Sequence, residues 1–336
     1  MKTVLVTGGL GYIGSHTVVE LIKSGFEVVI LDNLSNSDIS FLDRIIGICK
    51  LETGKQPIFY EKDCREDMYK IFSSHKIDGV IHFAALKAVG ESVEKPLEYY
   101  DNNINSLLNI LENCKKFKIK NLVFSSSCSL YGNVDLLPVN ENTKISDPES
   151  PYAYTKLIGE KIIEDFCKIT ELNATLLRYF NPVGAHRSGM IGESPVTKPN
   201  NIMPVVCNSV KGDELIVFGN DYQTRDGSCI RDYVHVSDIA NAHILALEWM
   251  MKNKLKKPEV FNLGSESGIS VFELINTFER VNGVKVKYKI GNKRPGDVVQ
   301  IYSDSTKAKK ILGWEPKHNI DDMVESTWKW YQNLNN

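Results

Sequence analysis

Thr3-Val4-Leu5-Val6-Thr7-Gly8-Gly9-Leu10-Gly11-Tyr12-Ile13-Gly14 decides the fold. An apolar run ends at Thr7, glycines follow at 8, 11 and 14, and a helical pattern begins at 14. Such glycines allow a tight strand-to-helix turn and let a pyrophosphate approach the N–H groups at the helix start. The spacing is GxxGxxG rather than GxGxxG, and a plain strand-to-helix turn uses similar residues. Context adds weight: an acid, Asp32, closes the next apolar run, Val28-Val29-Ile30-Leu31. A carboxylate there accepts both adenosine ribose hydroxyls and repels a 2′-phosphate, which favours NAD over NADP. A helix N-cap is the ordinary role for an aspartate such as Asp32. Asp63 follows a third run, Phe59-Tyr60-Glu61-Lys62, in position to meet an adenine.

Outward from this stretch, strand-like runs recur near 26–31, 57–61, 79–84, 120–125, 173–179 and 259–263. Helical patterns near 14–24, 66–75, 97–117, 151–169 and 235–252 fill the gaps. Short, continuously apolar strands suit a parallel sheet buried on both faces. The alternation predicts an α/β, Rossmann-like, doubly wound parallel sheet with right-handed crossovers. Residues 181–230 are rich in Gly, Pro, Asn and Asp and predict a loop-heavy cap over the carboxyl edge. Helical signals resume at 270–281, 305–312 and 321–334. The expected division is an NAD-binding unit at 1–180, with 234–265 returning to it. A smaller, loop-rich substrate-binding unit takes 181–233 and 266–336.

At 336 residues the chain is long enough for two such units. Lys and Arg number 40 against 42 Asp and Glu, so no basic excess exists to neutralise a nucleic-acid backbone. Cys49, Cys64, Cys114, Cys128, Cys167, Cys207 and Cys229 are odd in number and widely spaced. They predict free thiols in a reducing compartment and no metal site. No apolar run approaches the ~20 residues of a membrane helix, and no leader stretch precedes Thr3. The expectation is a cytoplasmic protein with neither nucleic-acid nor membrane partner.

Ser150-Pro151-Tyr152-Ala153-Tyr154-Thr155-Lys156 carries the strongest chemical signal. Ser150 suits an N-cap and Pro151 the first helical position, which puts Tyr152 and Lys156 at i and i+4 on one face. A tyrosine acting as a base near neutrality needs a pKa well below its usual ~10. An ammonium and a cationic nicotinamide both push it down. A surface Tyr–Lys pair is common, but Ser125-Ser126-Ser127 ends the preceding strand, where a hydroxyl meets a substrate oxygen. Three serines also suit a simple turn.

Together these stretches resemble the extended short-chain dehydrogenase/reductase family, and within it the nucleotide-sugar 4-epimerases. The likeness runs nearly the whole length. It rests on Val6–His16, His82-Phe83-Ala84-Ala85-Leu86-Lys87-Ala88-Val89-Gly90-Glu91-Ser92, Lys95–Asn103, Leu177–Ala185, Asn200–Pro204 and Arg231–Val236. It implies that Gly8, Gly11, Tyr12, Ile13, Gly14, Asp32, Asn33, Asn36, Ser37, Asp63, Cys64, Phe83, Ala84, Lys87, Asn102, Tyr152, Lys156 and Phe180 line a tightly bound NAD. It implies that Ser127, Tyr152, Asn181, Asn200, Asn201, Ile202, Phe218, Arg231, Tyr233, Arg294 and Asp297 hold a UDP-hexose. The arginine forks of Arg231 and Arg294 suit a diphosphate.

The implied reaction interconverts UDP-galactose and UDP-glucose. Ser127, Tyr152 and Lys156 form the catalytic trio, C4 is transiently oxidised, and the 4-keto sugar turns before hydride returns to its other face. A homodimer joined by the helices near 97–117 and 151–169 is also implied. Three positions depart from the family pattern. Ala153 and Thr155 replace Gly and Ser, and Cys128 replaces Ala. Ile301, at a site that governs acceptance of N-acetyl sugars, is intermediate in size and leaves that activity open. A 4,6-dehydratase would need Asp-Glu after its catalytic hydroxyl, where this chain has Cys128-Ser129. A UDP-hexuronate epimerase is a rival that a substrate panel separates. A non-catalytic NAD-binding sensor is a rival of another class, and it would have no need of the aligned trio.

Overall fold

A computed structural model describes residues 1–145, 147–196, 199, 201–293 and 297–334. The first six strands are β1 (Thr3–Thr7), β2 (Glu27–Asp32), β3 (Ile58–Glu61), β4 (Ile77–His82), β5 (Asn121–Ser127) and β6 (Asn173–Tyr179). Then come β7 (Asn181–Val183), β8 (Leu215–Phe218), β9 (Ile230–His235), β10 (Glu259–Leu263), β11 (Gly268–Ser270), β12 (Tyr288–Gly291) and β13 (Gln300–Ile301). The helices are α1 (Tyr12–Lys23), α2 (Ser40–Thr53), α3 (Tyr69–Ser74), α4 (Val89–Glu94), α5 (Pro96–Lys116) and α6 (Pro151–Lys168). They continue with α7 (Ile202–Lys211), α8 (Val236–Lys252), α9 (Val271–Asn282), α10 (Thr306–Leu312) and α11 (Ile320–Leu334).

Among the described residues, a seven-stranded sheet runs in the order β10-β6-β5-β4-β1-β2-β3, every pair parallel. Apart from the edge strand β3, its strands bury both faces, so alternate residues feed two cores. Val4, Val6, Val28 and Ile30 pack towards α1, α2 and α8. Leu5, Val29 and Leu31 pack towards α3, α5 and α6. Each such side chain contributes about 1.5–3 kcal/mol by leaving water. The sheet order reverses between β1 and β4, which sets a crevice at their carboxyl ends.

Residues 181–230 are more regular than a loop-heavy cap. They contain β7, α7, β8 and the start of β9. Helix α7 reads poorly as a helix because it is rich in valine and carries Pro204. Pro204 is its third residue, where the N–H has no intrahelical partner to lose. β8 pairs with β12, some seventy residues later, through Leu215 opposite Tyr288. A third core gathers Met203, Val206 and Leu215 from these elements with Leu274 and Phe278 of α9.

Helix α2 was not expected, although Phe41, Ile45, Ile48 and Cys49 give it a helical apolar stripe. The tail also does more than cap a substrate. Trp314 and Trp330 are buried in the same core as α1, α2 and α8. Their indole N–H groups donate to the carbonyls of Asp238 and Glu193 at 2.8 and 2.9 Å.

Candidate active site

The glycine loop is held by its own backbone. Gly8 N–H donates to the Leu31 carbonyl at 2.8 Å and Gly11 N–H to the Gly8 carbonyl at 3.1 Å. Gly8 has φ +67°, and a Cβ there would lie 2.8 Å from Ala84 N. A Cβ on Gly14 would lie 2.2 Å from the Gly8 oxygen. Gly11 is the N-cap of α1 with no side-chain cap, and the first turn carries no acid. Backbone donors at this helix start are therefore kept for an incoming anion, which suits a dinucleotide pyrophosphate.

Asp32 is buried at the end of β2. Its Oδ1 accepts from Leu34 N–H at 3.0 Å and Ser37 Oγ at 2.8 Å, and its Oδ2 accepts from Leu10 N–H at 3.0 Å. Oδ2 has a second lone-pair site, so the carboxylate is both the strap of the glycine loop and a fit acceptor for a ribose hydroxyl. Asn33 Nδ2 donates to Asp63 Oδ2 at 2.8 Å, and Arg65 also grips Asp63, holding its carboxyl down at about 2. Asn36 is exposed in the same turn, and Cys64 is buried with its thiol pushed up to about 12.

The loop after β4 joins this group. Phe83 N–H donates to the Thr7 carbonyl at 3.0 Å, and its ring lies 4.7 Å from that of His243. Lys87 Nζ reaches Glu193 Oε1 at 3.2 Å, and Asn201 Nδ2 donates to the same oxygen. Asn102 Nδ2 donates to Asn103 Oδ1 at 3.0 Å, while Asn103 fixes Leu86 through both its N–H and its carbonyl. Ile13 packs against the first core. Tyr12 OH donates to the Gly184 carbonyl at 2.6 Å, so the first turn of α1 touches the segment beyond β7.

Ser150 Oγ accepts from Ala153 N–H at 3.2 Å and Pro151 opens α6, as the sequence predicted. One turn separates Tyr152 from Lys156. Lys156 Nζ donates to the Ser125 carbonyl at 2.7 Å and stands 5.8 Å from the Tyr152 ring centroid. The Ser127 hydroxyl is near enough to Tyr152 to offset part of its desolvation, and accepts from Ser129 N–H at 3.2 Å. The trio thus gathers at the carboxyl end of β5.

In the chain alone, desolvation works against the phenolate. Burial pushes Tyr152 up to about 12, and only the Ser127 hydrogen bond opposes it. Burial also pulls Lys156 down to about 8. Lys156 is buried and Tyr152 half-buried, and the ammonium is turned onto the Ser125 carbonyl rather than the phenol. A cationic ring bound beside it would push Tyr152 back down.

The residues assigned to a nucleotide sugar come from other elements. Asn181 in β7 is the register partner of Tyr233 in β9, and Tyr233 is buried. Arg231 reaches Asp297 at 3.5 Å. Asn201 is the N-cap of α7 and Ile202 its first residue, while Phe218 ends β8. Phe180 is buried with Tyr131, Val139 and Ile301. Asn200 and Arg294 lie outside the described residues.

Sequence reading missed three acids that organise these parts. Glu193 joins Lys87 to Asn201, and a lone acid in a glycine- and proline-rich stretch carries no signal. Asp232 is buried and accepts from the hydroxyls of Ser265 and Ser303 at 2.7 and 2.6 Å, tying β9 to the tail. Glu160 is one turn beyond Lys156, a spacing that was legible. Among the described residues, no cluster of His, Cys, Asp or Glu is placed to hold a metal ion, and no helix is long and apolar enough to cross a membrane.

The arrangement can bind a dinucleotide along the β1–β2 edge and present a proton-transfer pair to a hydroxyl beside it. The family described as GDP-mannose 4,6 dehydratase matches residues 5–327. The UDP-glucose 4-epimerase of Pasteurella multocida (strain Pm70) is 46% identical over 332 residues, covering 97% of this chain and 96% of that protein. The crystal structure of UDP-glucose 4-epimerase from Stenotrophomonas maltophila, with bound NAD and formylated UDP-arabinopyranose, superposes with a TM-score of 0.94. It is 43% identical and covers 100% of this chain and 99% of that one. The Bifidobacterium longum enzyme in complex with NAD+ and UDP gives a TM-score of 0.93 at 42% identity, with 100% and 99% covered.

Proposed function

The chain belongs to the UDP-glucose 4-epimerase family, whose members are NAD-dependent isomerases, and on that premise we propose that it interconverts UDP-galactose and UDP-glucose. The observation that carries the reading is the meeting of Ser127, Tyr152 and Lys156 at the end of β5 beside the glycine loop. Absence of an Asp-Glu pair after Ser127 speaks against a dehydratase, whatever the family's description.

The NAD unit is assigned to 1–180 with 234–265, and the UDP-sugar unit to 181–233 and 266–336. The glycine loop and the start of α1 hold the pyrophosphate, and Asp32 holds the adenosine ribose. Tyr12, Ile13, Asn33, Asn36, Ser37, Asp63, Cys64, Phe83, Ala84, Lys87, Asn102 and Phe180 line the rest. NAD, when bound, would supply the acceptor for the hydride of sugar C4 and its return to the opposite face. Ser127 hydrogen-bonds the 4-hydroxyl and relays its proton, and Tyr152 accepts and later returns it. Lys156 orients the nicotinamide ribose and favours the phenolate. Asn181, Asn201, Ile202, Phe218, Arg231, Tyr233 and Asp297, with Asn200 and Arg294, keep hold of the UDP while the keto sugar turns. Retention of both cofactor and keto sugar is required, because loss of either leaves a redox error.

Purified protein, given UDP-galactose with no added NAD, is expected to form UDP-glucose. No product, in protein shown to contain NAD, would overturn the assignment. UDP-N-acetylgalactosamine in a parallel reaction reads the specificity that Ile301 leaves open.

The same reading includes a homodimer built on α5 and α6. These helices pack together, and the α5 region leaves Leu97 and Leu108 in contact with solvent. Light scattering is expected to give twice the chain mass, and a monomer at assay concentration would refute it. All seven cysteines are free thiols, which suits a cytoplasmic location.

A further inference from the structure

The three serines ending β5 meet three residues of α6, one each. Ser127 reaches Tyr152, the Ser125 carbonyl accepts from Lys156, and Ser126 Oγ donates to Glu160 Oε1 at 2.5 Å. Tyr152, Lys156 and Glu160 are spaced at i, i+4 and i+8, one stripe of the helix. Glu160 is gripped from below by Arg178 of β6. Arg178 Nε donates to Oε1 at 2.9 Å and a terminal nitrogen to Oε2 at 2.6 Å.

Both side chains are almost wholly shielded, 5% exposed for Arg178 and 9% for Glu160. The remaining Arg178 nitrogen donates to Tyr131 OH at 2.9 Å, and Tyr131 OH donates to Asn262 Oδ1 at 2.7 Å. Asn262 Nδ2 then donates to the Val139 carbonyl at 3.1 Å. Arg178 is the register partner of Ser126 on β5 and of Asn262 on β10. The network therefore joins α6 to three adjacent strands directly under the trio.

A buried ion pair is a poor stability device, since well-packed apolar residues commonly serve as well or better. Its placement under reacting groups asks for another role. We propose that Glu160 and Arg178 are the positioning pair of this site, clamping α6 onto β5 and β6 so that Ser127, Tyr152 and Lys156 stay in register and Lys156 keeps its charge. The inference rests on the reading of that trio as catalytic.

The surroundings of Lys156 agree. Burial lowers its pKa, and Glu160 is the group that opposes the fall. The other ionisable groups around this end of α6 are Tyr152 on the same helix, Arg178 on β6 and His82 on β4, with Tyr179 on β6, Tyr99 on α5 and Cys128 after β5 close to Tyr152. Burial holds His82 neutral with a pKa of about 3.

The test is the kcat–pH profile of NAD-loaded enzyme. Activity falls on the alkaline side as Lys156 loses its proton. Glu160→Gln leaves the Arg178 cation unopposed, and its alkaline limb is expected about 1–3 pH units lower. Arg178→Gln leaves the Glu160 carboxylate unopposed, and its limb is expected to move the other way. KM stays within about threefold throughout, because neither residue touches substrate; a single nonpolar-pocket change is worth ~10-fold or more.

Opposite shifts are what mere packing would not give. Limbs that stay put in variants with parental circular dichroism and NAD content overturn the proposal. Should the single variants fail to fold, the double variant E160Q/R178Q carries the test. It strands neither charge, and its limb is expected about one unit below the parent's; an unmoved limb overturns the proposal. Tyr152→Phe is measured alongside. Full turnover there overturns the catalytic reading itself, whereas an inactive Tyr152→Phe with unmoved limbs overturns the positioning role alone.

Discussion

Tyr152→Phe is expected to lower kcat on UDP-galactose by about 10²–10⁴-fold, the range that a positioned acid–base group supplies. The substitution removes one oxygen and keeps the ring, so the packing around α6 is retained. Lys156 keeps its bond to the Ser125 carbonyl, because that contact does not pass through the tyrosine. What disappears is the group able to take the proton from the sugar hydroxyl by way of Ser127. Burial makes this group a reluctant acid in the chain alone, near 12. Positive charge brought close on loading would favour the phenolate. NAD content and melting temperature should therefore match the parent while turnover collapses. Steady-state assay together with the absorbance of released NAD checks this, and turnover within about tenfold of the parent would sink the role.

Gly14→Ala should abolish NAD retention. A Cβ there would stand 2.2 Å from the Gly8 carbonyl oxygen and 2.9 Å from Gly9 Cα, and both are backbone atoms. No rotamer change relieves such contacts, so the loop must open and its N–H groups move off the pyrophosphate. Overpacking of this kind costs about 1–3 kcal/mol or more in a packed core. Since each 1.4 kcal/mol is about tenfold in affinity, a tightly held cofactor would be lost on gel filtration. Gly90→Ala on α4 is the matched control, since a Cβ there meets nothing within 4 Å. Retained NAD in Gly14→Ala would show that the loop does not carry the pyrophosphate.

Much of the site was legible because its signals are local. The strand–glycine–helix turn, Asp32 closing β2 and the Ser150–Pro151 start of α6 each depend on a few neighbouring residues. Their spacing alone puts Tyr152 one turn from Lys156. Local rules also misled where tertiary structure outvoted them. Helix α7 forms despite Pro204 and a valine-rich stretch because its apolar face closes a core with β8 and α9. The pairing of β8 with β12 has no mark in either strand.

The sequence by itself determined the doubly wound sheet, the glycine turn that opens α1 and the one-turn spacing of Tyr152 and Lys156, because periodicity and turn chemistry are properties of contiguous residues. Only the tertiary structure decided that Arg178 lies under Glu160, that Glu193 joins Lys87 to Asn201, and that Trp314 and Trp330 return to the first core. It alone buried Lys156 against the Ser125 carbonyl. Burial and charge pairing depend on which distant segments meet, and no spacing along the chain records that.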